Sequence, residues 1–435
     1  MKKAIVVGSG AGGATVAKEL QGKFAVTILE AGGEFHPFTA NLSTVEKLRK
    51  TGLLFDERLI QLIFPMMKIR RTPDKMVLVN GIGTGGTTAI STANAIRKDH
   101  DLRRIGINLD TEYEELLKEI PISTQHQKMW RTHTNHAFEI CREMDLQPKI
   151  TPKMTDLNKC VGCGRCILGC PRGAKWDSRC FLSQALENGA NLITGCRVQK
   201  VIIEKKQVAG VLAISGRHSR FYPADLIILA AGGLATPVIL QNSEIECKEN
   251  LFVDPVLCVA AKLDGCRQNQ EIPMPFIVQR EHFIISPYFD FLSFFFNKKW
   301  KLPAHDIFSL QIKLADSNQG SISDKSIRKD LTQQDKNRLE EGVKLCKEIL
   351  HRLRVENDSI FLGTINAGHP GGMFPLTENE ANTLHQNLLP PNLHIADATL
   401  LPDSLGNPPS LTIMALAKRI SKLCSKEAKL PQSYL

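Results

Sequence analysis

The N-terminal hydrophobic pattern predicts a strand, a glycine turn, a helix and a second strand. An apolar run at residues 4–7 leads into the glycine-rich residues 8–13, and small or apolar side chains follow. A second apolar run at residues 25–29 ends at Glu30. Short, continuous apolar runs on either side of a helix are typical of parallel strands that are buried on both faces. The pattern therefore predicts a β-α-β unit.

The glycines of this unit are spaced for a dinucleotide. Gly8 permits a tight turn, Gly10 lets the backbone approach a pyrophosphate, and Gly13 allows the helix to pack closely on the strand. The helix N-terminus offers amide donors and the positive end of a dipole to the phosphates. Glu30 lies 22 positions after Gly8, at the spacing of a carboxylate that binds a ribose hydroxyl. We therefore expect dinucleotide binding in preference to a glycine turn without a ligand.

Two further glycine-rich segments indicate one long and deeply buried cofactor. Gly85 and Gly86 lie in a segment where the backbone can pass close to a bulky ligand. Gly232 follows an apolar run that reads as a buried strand. Two more glycines come shortly after Glu30, as in flavoproteins with a similar N-terminal pattern. FAD is therefore favoured over NAD.

Two downstream segments have distinctive patterns. Residues 330–355 place leucine, isoleucine and valine among charges at helical spacing, which predicts an amphipathic helix. Residues 282–296 concentrate aromatic side chains, and the plain interpretation is a pair of strands packed in the core. An apolar substrate pocket and a patch that docks on a membrane or partner are the alternatives. Core or pocket lining is favoured over docking.

Composition narrows the class of protein. The chain has 435 residues, of which 43% are hydrophobic and 23% charged, as expected for a globular protein of two or three domains. The chain runs directly into its first strand, without the apolar region of a signal peptide, so a cytoplasmic location is expected. The net charge of +10 comes from scattered basic residues outside any nucleic-acid-binding motif. No nucleic-acid partner is expected, and peripheral membrane contact is disfavoured.

The cysteines point to a metal cluster. Four of the 12 follow the pattern Cys-x2-Cys-x2-Cys-x3-Cys at Cys160, Cys163, Cys166 and Cys170, directly before Pro171. This spacing is that of the bacterial ferredoxin run, in which thiolates converge on an iron-sulfur core. Structural zinc more often uses two separated pairs, and a reducing compartment disfavours disulfides. We therefore expect an iron-sulfur cluster, most simply [4Fe-4S].

The fourth ligand of the cluster stays open at this point. In two-cluster ferredoxins the fourth cysteine of such a run serves the other cluster, and this chain has one run. The fourth ligand is therefore Cys170, or else Cys180 or Cys196 reaches back. The remaining cysteines are expected to be mostly buried packing residues.

Two C-terminal segments, residues 366–373 and 393–417, complete a set of ordered motifs. Together with the N-terminal turn and the later glycine segments, they resemble the glucose-methanol-choline (GMC) family of FAD oxidoreductases. The resemblance extends over nearly the whole chain. The cysteine-rich insert is similar to that of a subset that resembles long-chain alcohol oxidases and GMC dehydrogenases.

The resemblance implies a catalytic pair and a flavin environment. His369 matches the histidine of the family's His-x-x-Gly motif, and Asn407 matches the His or Asn of the final motif. Asp397 and Ala398 match residues beside the flavin, and the helix near Pro409 points its N-terminus at the isoalloxazine ring. A histidine suits removal of a hydroxyl proton near neutrality. Asn407 would hold the substrate oxygen while FAD accepts hydride at N5.

The implied fold class is α/β, or α+β overall. It comprises a Rossmann-like FAD-binding domain, an inserted antiparallel-sheet substrate domain and a small iron-sulfur lobe. The FAD-binding domain is expected to comprise residues 1–35, 80–100, 195–245 and 365–435. The substrate or cap domain is expected to comprise residues 36–79, 101–154 and 246–364, and the cluster lobe residues 155–180.

The expected function is that of an FAD-dependent dehydrogenase acting on the CH-OH group of an alcohol. His369 serves as the base, and electrons leave singly through the cluster to an external carrier such as a ferredoxin. One alternative is a reductase of a carbonyl or alkene, fed by ferredoxin at the same site. A second alternative is a non-catalytic subunit that holds flavin and cluster for electron transfer.

Overall fold

The computed structural model describes residues 1–39, 46, 47, 49 and 64–427. Its strands are β1 (Lys3–Val7), β2 (Ala25–Leu29), β3 (Met67–Arg71), β4 (Val77–Gly81), β5 (Ile122–Ser123), β6 (Lys149–Ile150), β7 (Lys153–Met154), β8 (Asn191–Ile193), β9 (Cys196–Glu204), β10 (Gln207–Ser215), β11 (His218–Pro223), β12 (Leu226–Leu229), β13 (Val256–Lys262), β14 (Phe276–Gln279), β15 (Phe283–Pro287), β16 (Ile307–Leu314), β17 (Ser321–Ile322), β18 (Ile327–Arg328), β19 (Ile360–Leu362), β20 (Asn366–Ala367) and β21 (Leu393–Ile395). Its helices are α1 (Ala11–Glu19), α2 (His100–Arg104), α3 (Asp110–Glu119), α4 (Thr132–Glu143), α5 (Arg179–Glu187), α6 (Thr236–Asn242), α7 (Phe291–Phe296), α8 (Gln333–Arg352) and α9 (Ser410–Glu427).

The first layer is a five-stranded parallel sheet. Its strand order is β21-β12-β1-β2-β8, with Val7 paired to Leu29 on one side and to Leu229 on the other. The predicted β-α-β unit is therefore present, and strands from three distant parts of the chain, β8, β12 and β21, join it. β1 and β12 are almost wholly buried because helices such as α1 cover the sheet. Helices α2 and α3 contribute Leu102 and Tyr113 to the same core.

The second layer is a nine-stranded, mainly antiparallel sheet. Its order is β3-β4-β20-β13-β16-β15-β14-β6, and β19 also pairs with β13. Every residue of the central strand β16 is buried. Leucine, isoleucine and phenylalanine on one face pack with residues of α8, whereas Ser309, Gln311 and Lys313 occupy the opposite face. Two sheets of different type in one chain make the mixed α/β fold that the sequence predicts.

The amphipathic helix predicted for residues 330–355 is confirmed as α8. Thr332 accepts a hydrogen bond from the Asp335 N–H, and the Asp335 carboxylate accepts one from the Thr332 N–H. This reciprocal capping box fixes the start of the helix. Leu339 and Ile349 lie on its buried face.

The aromatic segment differs in part from the predicted strand pair. Phe283–Pro287 form strand β15, but Phe291–Phe296 form the short helix α7. Asp290 begins this helix by accepting a hydrogen bond from the Leu292 N–H at 3.0 Å. Most of these aromatic side chains are buried, which agrees with core or pocket lining. None of the described helices has the length and apolarity needed to cross a bilayer.

Candidate active site

The glycine turn between β1 and α1 is packed too closely for side chains at three positions. Gly8 has a φ of +96°, and a Cβ on Gly8 would lie 2.5 Å from the Ala230 carbonyl oxygen. A Cβ on Gly13 would lie 2.0 Å from the Gly8 oxygen, so the helix rests directly on the turn. A Cβ on Gly12 would lie 1.6 Å from the Ala396 oxygen. The dinucleotide motif assigns no role to Gly12, although its position within the glycine run is typical of close backbone packing.

Gly10 differs from its neighbours because no protein atom crowds it. A Cβ there would have Gly86 Cα, at 3.9 Å, as its nearest neighbour. Gly10 instead borders a cavity of about 800 Å³. The absence of a side chain at Gly10 thus serves the cavity and not the packing of the fold.

This large cavity collects most of the residues predicted to bind the cofactor. Its lining includes Gly8, Gly10, Glu30, Gly86, Gly232, Asp397, Ala398 and Pro409. Gly13 and Gly85 are outside the lining and lie in the surrounding framework. The volume is in the range of small-molecule and cofactor sites.

Two carboxylates hold the cavity wall together. Glu30 accepts hydrogen bonds from the Ser9 hydroxyl at 2.7 Å, from the Gly32 N–H at 2.9 Å and from the Gly83 N–H at 3.2 Å. Asp397 accepts one from the Gly232 N–H at 2.9 Å, and burial raises its pKa. Each carboxylate therefore fixes a glycine segment in addition to facing the cavity.

Two helix N-termini open on the same cavity. Ala11 and Gly12 of α1 and Ser410 and Ile413 of α9 are lining residues. Neither helix has an acidic residue in its first turn. Free amides and the positive ends of two helix dipoles are therefore available to an anionic ligand. These groups suit the pyrophosphate of a flavin dinucleotide and the negative charge that its ring gains on reduction.

His369 lies where the large cavity meets a second one. The second cavity has a volume of about 160 Å³ and a largely apolar lining. The residues common to both linings are Thr87, Ser91, Gly368, His369 and Ser410. The side chain of His369 is 24% exposed, and its Nδ1 lies 3.6 Å from Asp254 Oδ2. An imidazole at this junction can reach a ligand in either cavity.

The surroundings of His369 keep its imidazole neutral. Burial and the charge of Lys313 lower its pKa and Asp254 raises it, with the net result that the pKa falls to about 4. Asp254 and Lys313 are themselves a buried pair, with 3.2 Å between Asp254 Oδ2 and the Lys313 ammonium. The Ser404 hydroxyl also donates to Asp254. A neutral imidazole near pH 7 is able to accept a proton.

Asn407 is close to this junction but is absent from both linings. Its side-chain amide donates to Gln279 Oε1 at 3.3 Å, and its Oδ1 has no hydrogen-bond partner among the described residues. Its neighbours Pro408 and Pro409 line the second and the large cavity respectively. His369 therefore lines both cavities, whereas Asn407 lies outside both linings and next to two residues that belong to them.

The four cysteines of the ferredoxin-like run all line a third, small cavity of about 30 Å³. Cys180 is exposed and Cys196 lines the large cavity, so of the three candidates for a fourth ligand only Cys170 faces the small one. No group of three or more His, Cys, Asp or Glu side chains in the described chain is arranged to hold a metal ion. The geometry therefore does not support the predicted cluster, although the donor types suit it.

Two buried lysines face the cysteines. Lys153 and Lys175 line the small cavity, and its described lining contains no acidic residue. Lys153 donates to the carbonyls of Thr92, at 3.3 Å, and Pro273, at 2.5 Å, and to the Asn94 side chain. Both side chains are buried, and burial lowers the pKa of each, that of Lys153 to about 7. Burial of a charge without an opposite charge is costly, so a negative partner in this cavity would be stabilised.

Lys175 also ties the cysteine loop to the wall of the large cavity. It donates to the carbonyls of Thr88, Ala89 and Ser91, at 2.7–3.2 Å, and to the Cys166 carbonyl at 3.0 Å. Thr88 and Ser91 line the large cavity. The backbone of residues 88–91 therefore lies between the large cavity and the small cavity of the cysteines.

A parallel sheet with a glycine turn, an antiparallel sheet and a histidine between two cavities define a dinucleotide-dependent oxidoreductase. A family model described as GMC oxidoreductase matches residues 3–259, and the chain belongs to this family. The GMC oxidoreductases bind FAD, and the large cavity is the part of the described structure that suits it.

Individual relatives extend the likeness. The chain is 26% identical over 420 residues to the uncharacterized protein MJ1450 of Methanocaldococcus jannaschii, covering 95% of this chain and 97% of that protein. It is 27% identical over 289 residues to the long-chain-alcohol oxidase FAO4B of Arabidopsis thaliana, covering 58% of this chain and 36% of the plant enzyme.

A solved structure shares the fold. The crystal structure of pyridoxine 4-oxidase from Mesorbium loti aligns with 97% of this chain and 99% of that one, with a TM-score of 0.72 and 14% sequence identity. At this identity the likeness concerns the arrangement of the backbone alone.

Proposed function

We propose that the protein oxidises an alcohol in the second cavity with FAD in the large one and His369 as the base. The position of His369 at the junction of the two cavities is the observation that carries this proposal. The alcohol oxidase relative supports the class of substrate. The site residues that match the family's motifs support the assignment of the base.

Different residues of the chain have different roles in this reaction. Neutral His369 accepts the hydroxyl proton of the alcohol, and Asp254 stabilises the imidazolium that results. The chemistry that FAD would supply is acceptance of a hydride from the carbon that bears the hydroxyl, which turns the alcohol into a carbonyl compound. Gly10 and the N-terminus of α1 would hold the pyrophosphate, and Glu30 would face the ribose. The N-terminus of α9 lines both cavities at Ser410, and Asn407 lies outside both linings, next to Pro408 and Pro409.

A second part of the proposal is an iron-sulfur cluster held by Cys160, Cys163, Cys166 and Cys170. Thiolates in this spacing are the donors that such clusters use. An anionic cluster would also give the buried ammonium groups of Lys153 and Lys175 the negative partner that their cavity lacks. A cluster accepts single electrons, so the enzyme would act as a dehydrogenase that passes electrons to a carrier protein such as a ferredoxin.

The experiment is anaerobic purification with analysis of flavin and iron, followed by a panel of alcohols added to the oxidised enzyme. The proposal predicts one FAD, about four iron atoms per chain and bleaching of the flavin band by at least one alcohol. Bleaching of the flavin in a protein without iron would rule out the proposed cluster but not the proposed alcohol oxidation. If no alcohol bleaches the flavin and the reduced enzyme instead reduces a carbonyl compound or an alkene, the protein is a reductase and not a dehydrogenase.

A further inference from the structure

The size and lining of the second cavity indicate which alcohols it can hold. We propose that the substrate is a compact alcohol of about the size of one aromatic ring, and that it carries a hydrogen-bond acceptor recognised by Gln311. This inference rests on the proposed alcohol oxidation and narrows its substrate class.

The volume of the cavity limits the size of the substrate. At about 160 Å³, it resembles an apolar protein cavity of roughly 150 Å³ that encloses benzene. Its lining includes Phe64, Ile90, Phe291 and Phe295. Apolar walls of this extent favour the transfer of a ring or a short branched chain from water. A long aliphatic chain would extend far beyond this volume.

Gln311 is an unusual wall residue because its side chain is buried with an unused donor. It lies on β16, is 3% exposed, and belongs to the cavity lining. Its Nε2 has no hydrogen-bond partner among the described residues. A buried donor without a partner is destabilising, and ligand binding is one way to satisfy it. The matching group on a ligand is an acceptor such as an ether, carbonyl or nitro oxygen.

Several other polar groups of this wall are already engaged by the protein. The Asn94 amide donates to Met274 Sδ at 2.9 Å, and its Oδ1 accepts from Lys153. The Lys313 ammonium lies 3.2 Å from Asp254.

Asp290, in the same wall, accepts from the Ser293 hydroxyl and from the Leu292 N–H. In this proposal His369 binds the substrate hydroxyl, and Gln311, as a buried donor without a partner among the described residues, binds a second polar group. The substrate is therefore held at two points across an apolar body.

The test compares benzyl alcohol, 3-methoxybenzyl alcohol, 4-methoxybenzyl alcohol and 1-dodecanol by the rate of anaerobic flavin bleaching. We expect at least one methoxybenzyl alcohol to exceed benzyl alcohol in kcat/KM by about tenfold or more, because only the methoxy compounds satisfy Gln311. We expect 1-dodecanol to be poorer than all three ring alcohols.

Gln311→Leu should bring the ratio between the methoxy compounds and benzyl alcohol close to one. Gln268→Leu is the matched control, because Gln268 is a buried glutamine whose amide is bound to Ser309 and which is absent from this cavity's lining. Its ratio should stay at the wild-type value. An unchanged ratio in Gln311→Leu, or a preference for 1-dodecanol, would overturn the inference and leave the alcohol oxidation in place. Bleaching by no alcohol would instead overturn the proposed function, and the inference with it.

Discussion

His369 depends on residues that are far away in the sequence. Asp254 precedes β13 and Lys313 lies on β16, yet both act on the imidazole. A lysine is an unexpected neighbour for a base, because its charge opposes protonation. The arrangement keeps the histidine ready to accept a proton at and well below pH 7, while Asp254 stabilises the protonated form once it exists.

Replacement of Lys313 by methionine tests this account of the base. The wild-type pKa of His369 is about 4, so kcat/KM should fall only below that pH. Without the ammonium, the charge of Asp254 is no longer balanced, and the pKa of His369 should rise toward the ordinary value of about 6.5. The acidic limb of the profile of kcat/KM against pH should therefore move upward in Lys313→Met.

Lys329→Met is the matched control for this measurement. Lys329 forms a buried pair with Asp316 at 2.8 Å, so its loss carries a similar cost in stability. It is not among the groups that act on His369. Its acidic limb should stay where the wild-type limb lies, and an equal shift in both variants would contradict the role of Lys313.

At the residue scale, sequence motifs indicated the proposed base but not its surroundings. His369 lies in a recognisable motif, whereas the sequence around Asp254, Gln311 and Lys313 carries no chemical signal. Alternation along a strand indicates which positions share a face, but not that a cavity lies beside that face. Such partners become visible only when the sheet is assembled.

At the scale of elements, the glycine turn separates packing from ligand binding. Gly10→Ala places its new methyl group in open space, 3.9 Å from the nearest protein atom, so the fold should persist. The same methyl group enters the cavity where a pyrophosphate would lie, so the Kd for FAD should rise on the order of tenfold. Thermal melting of the apoprotein and a fluorescence titration with FAD measure the two effects.

Two other glycines provide the controls for that variant. Gly12→Ala would place its Cβ 1.6 Å from the Ala396 oxygen and should impair folding itself. Gly33→Ala would place its Cβ 3.6 Å from a flexible methionine and is outside the cavity lining, so it should change neither quantity. Unaltered FAD affinity in Gly10→Ala would contradict the assignment of the large cavity.

The cysteine loop is a second element with a direct test. Cys170→Ser should lower the iron content after anaerobic purification, because Cys170 faces the small cavity with the other three cysteines of the run. Cys180→Ser is the control, since Cys180 is exposed outside that cavity, and it should retain the wild-type iron content. Iron loss in Cys180→Ser with retention in Cys170→Ser would reverse the choice of ligand.

Periodicity predicted some elements and not others for a physical reason. The β-α-β unit combines short apolar runs with a glycine turn, α8 repeats apolar positions at helical spacing, and both appear as predicted. The aromatic segment is nearly continuous, so a strand and a short helix fit its composition equally well. The Asp290 side chain decides in favour of a helix after residue 290 by accepting the Leu292 N–H.

At the scale of the whole molecule, the three cavities meet around one segment of backbone. Thr87 and Ser91 line the large and second cavities, and Thr92 lines the second cavity and the small one with the cysteines. Lys175 binds three carbonyl groups of this segment and joins it to the cysteine loop through the Cys166 carbonyl. The proposed alcohol, flavin and cluster sites would thus share one short partition.

The central claim, alcohol oxidation at a flavin with His369 as the base, is tested most directly by single-turnover reduction. FAD-loaded wild type and His369→Gln are mixed anaerobically with an alcohol that bleaches the wild-type flavin. His369→Gln should contain as much flavin as the wild type, and its flavin should bleach at least about a hundredfold more slowly, which is the typical contribution of a general base. Equal bleaching rates in the two proteins would contradict the central claim.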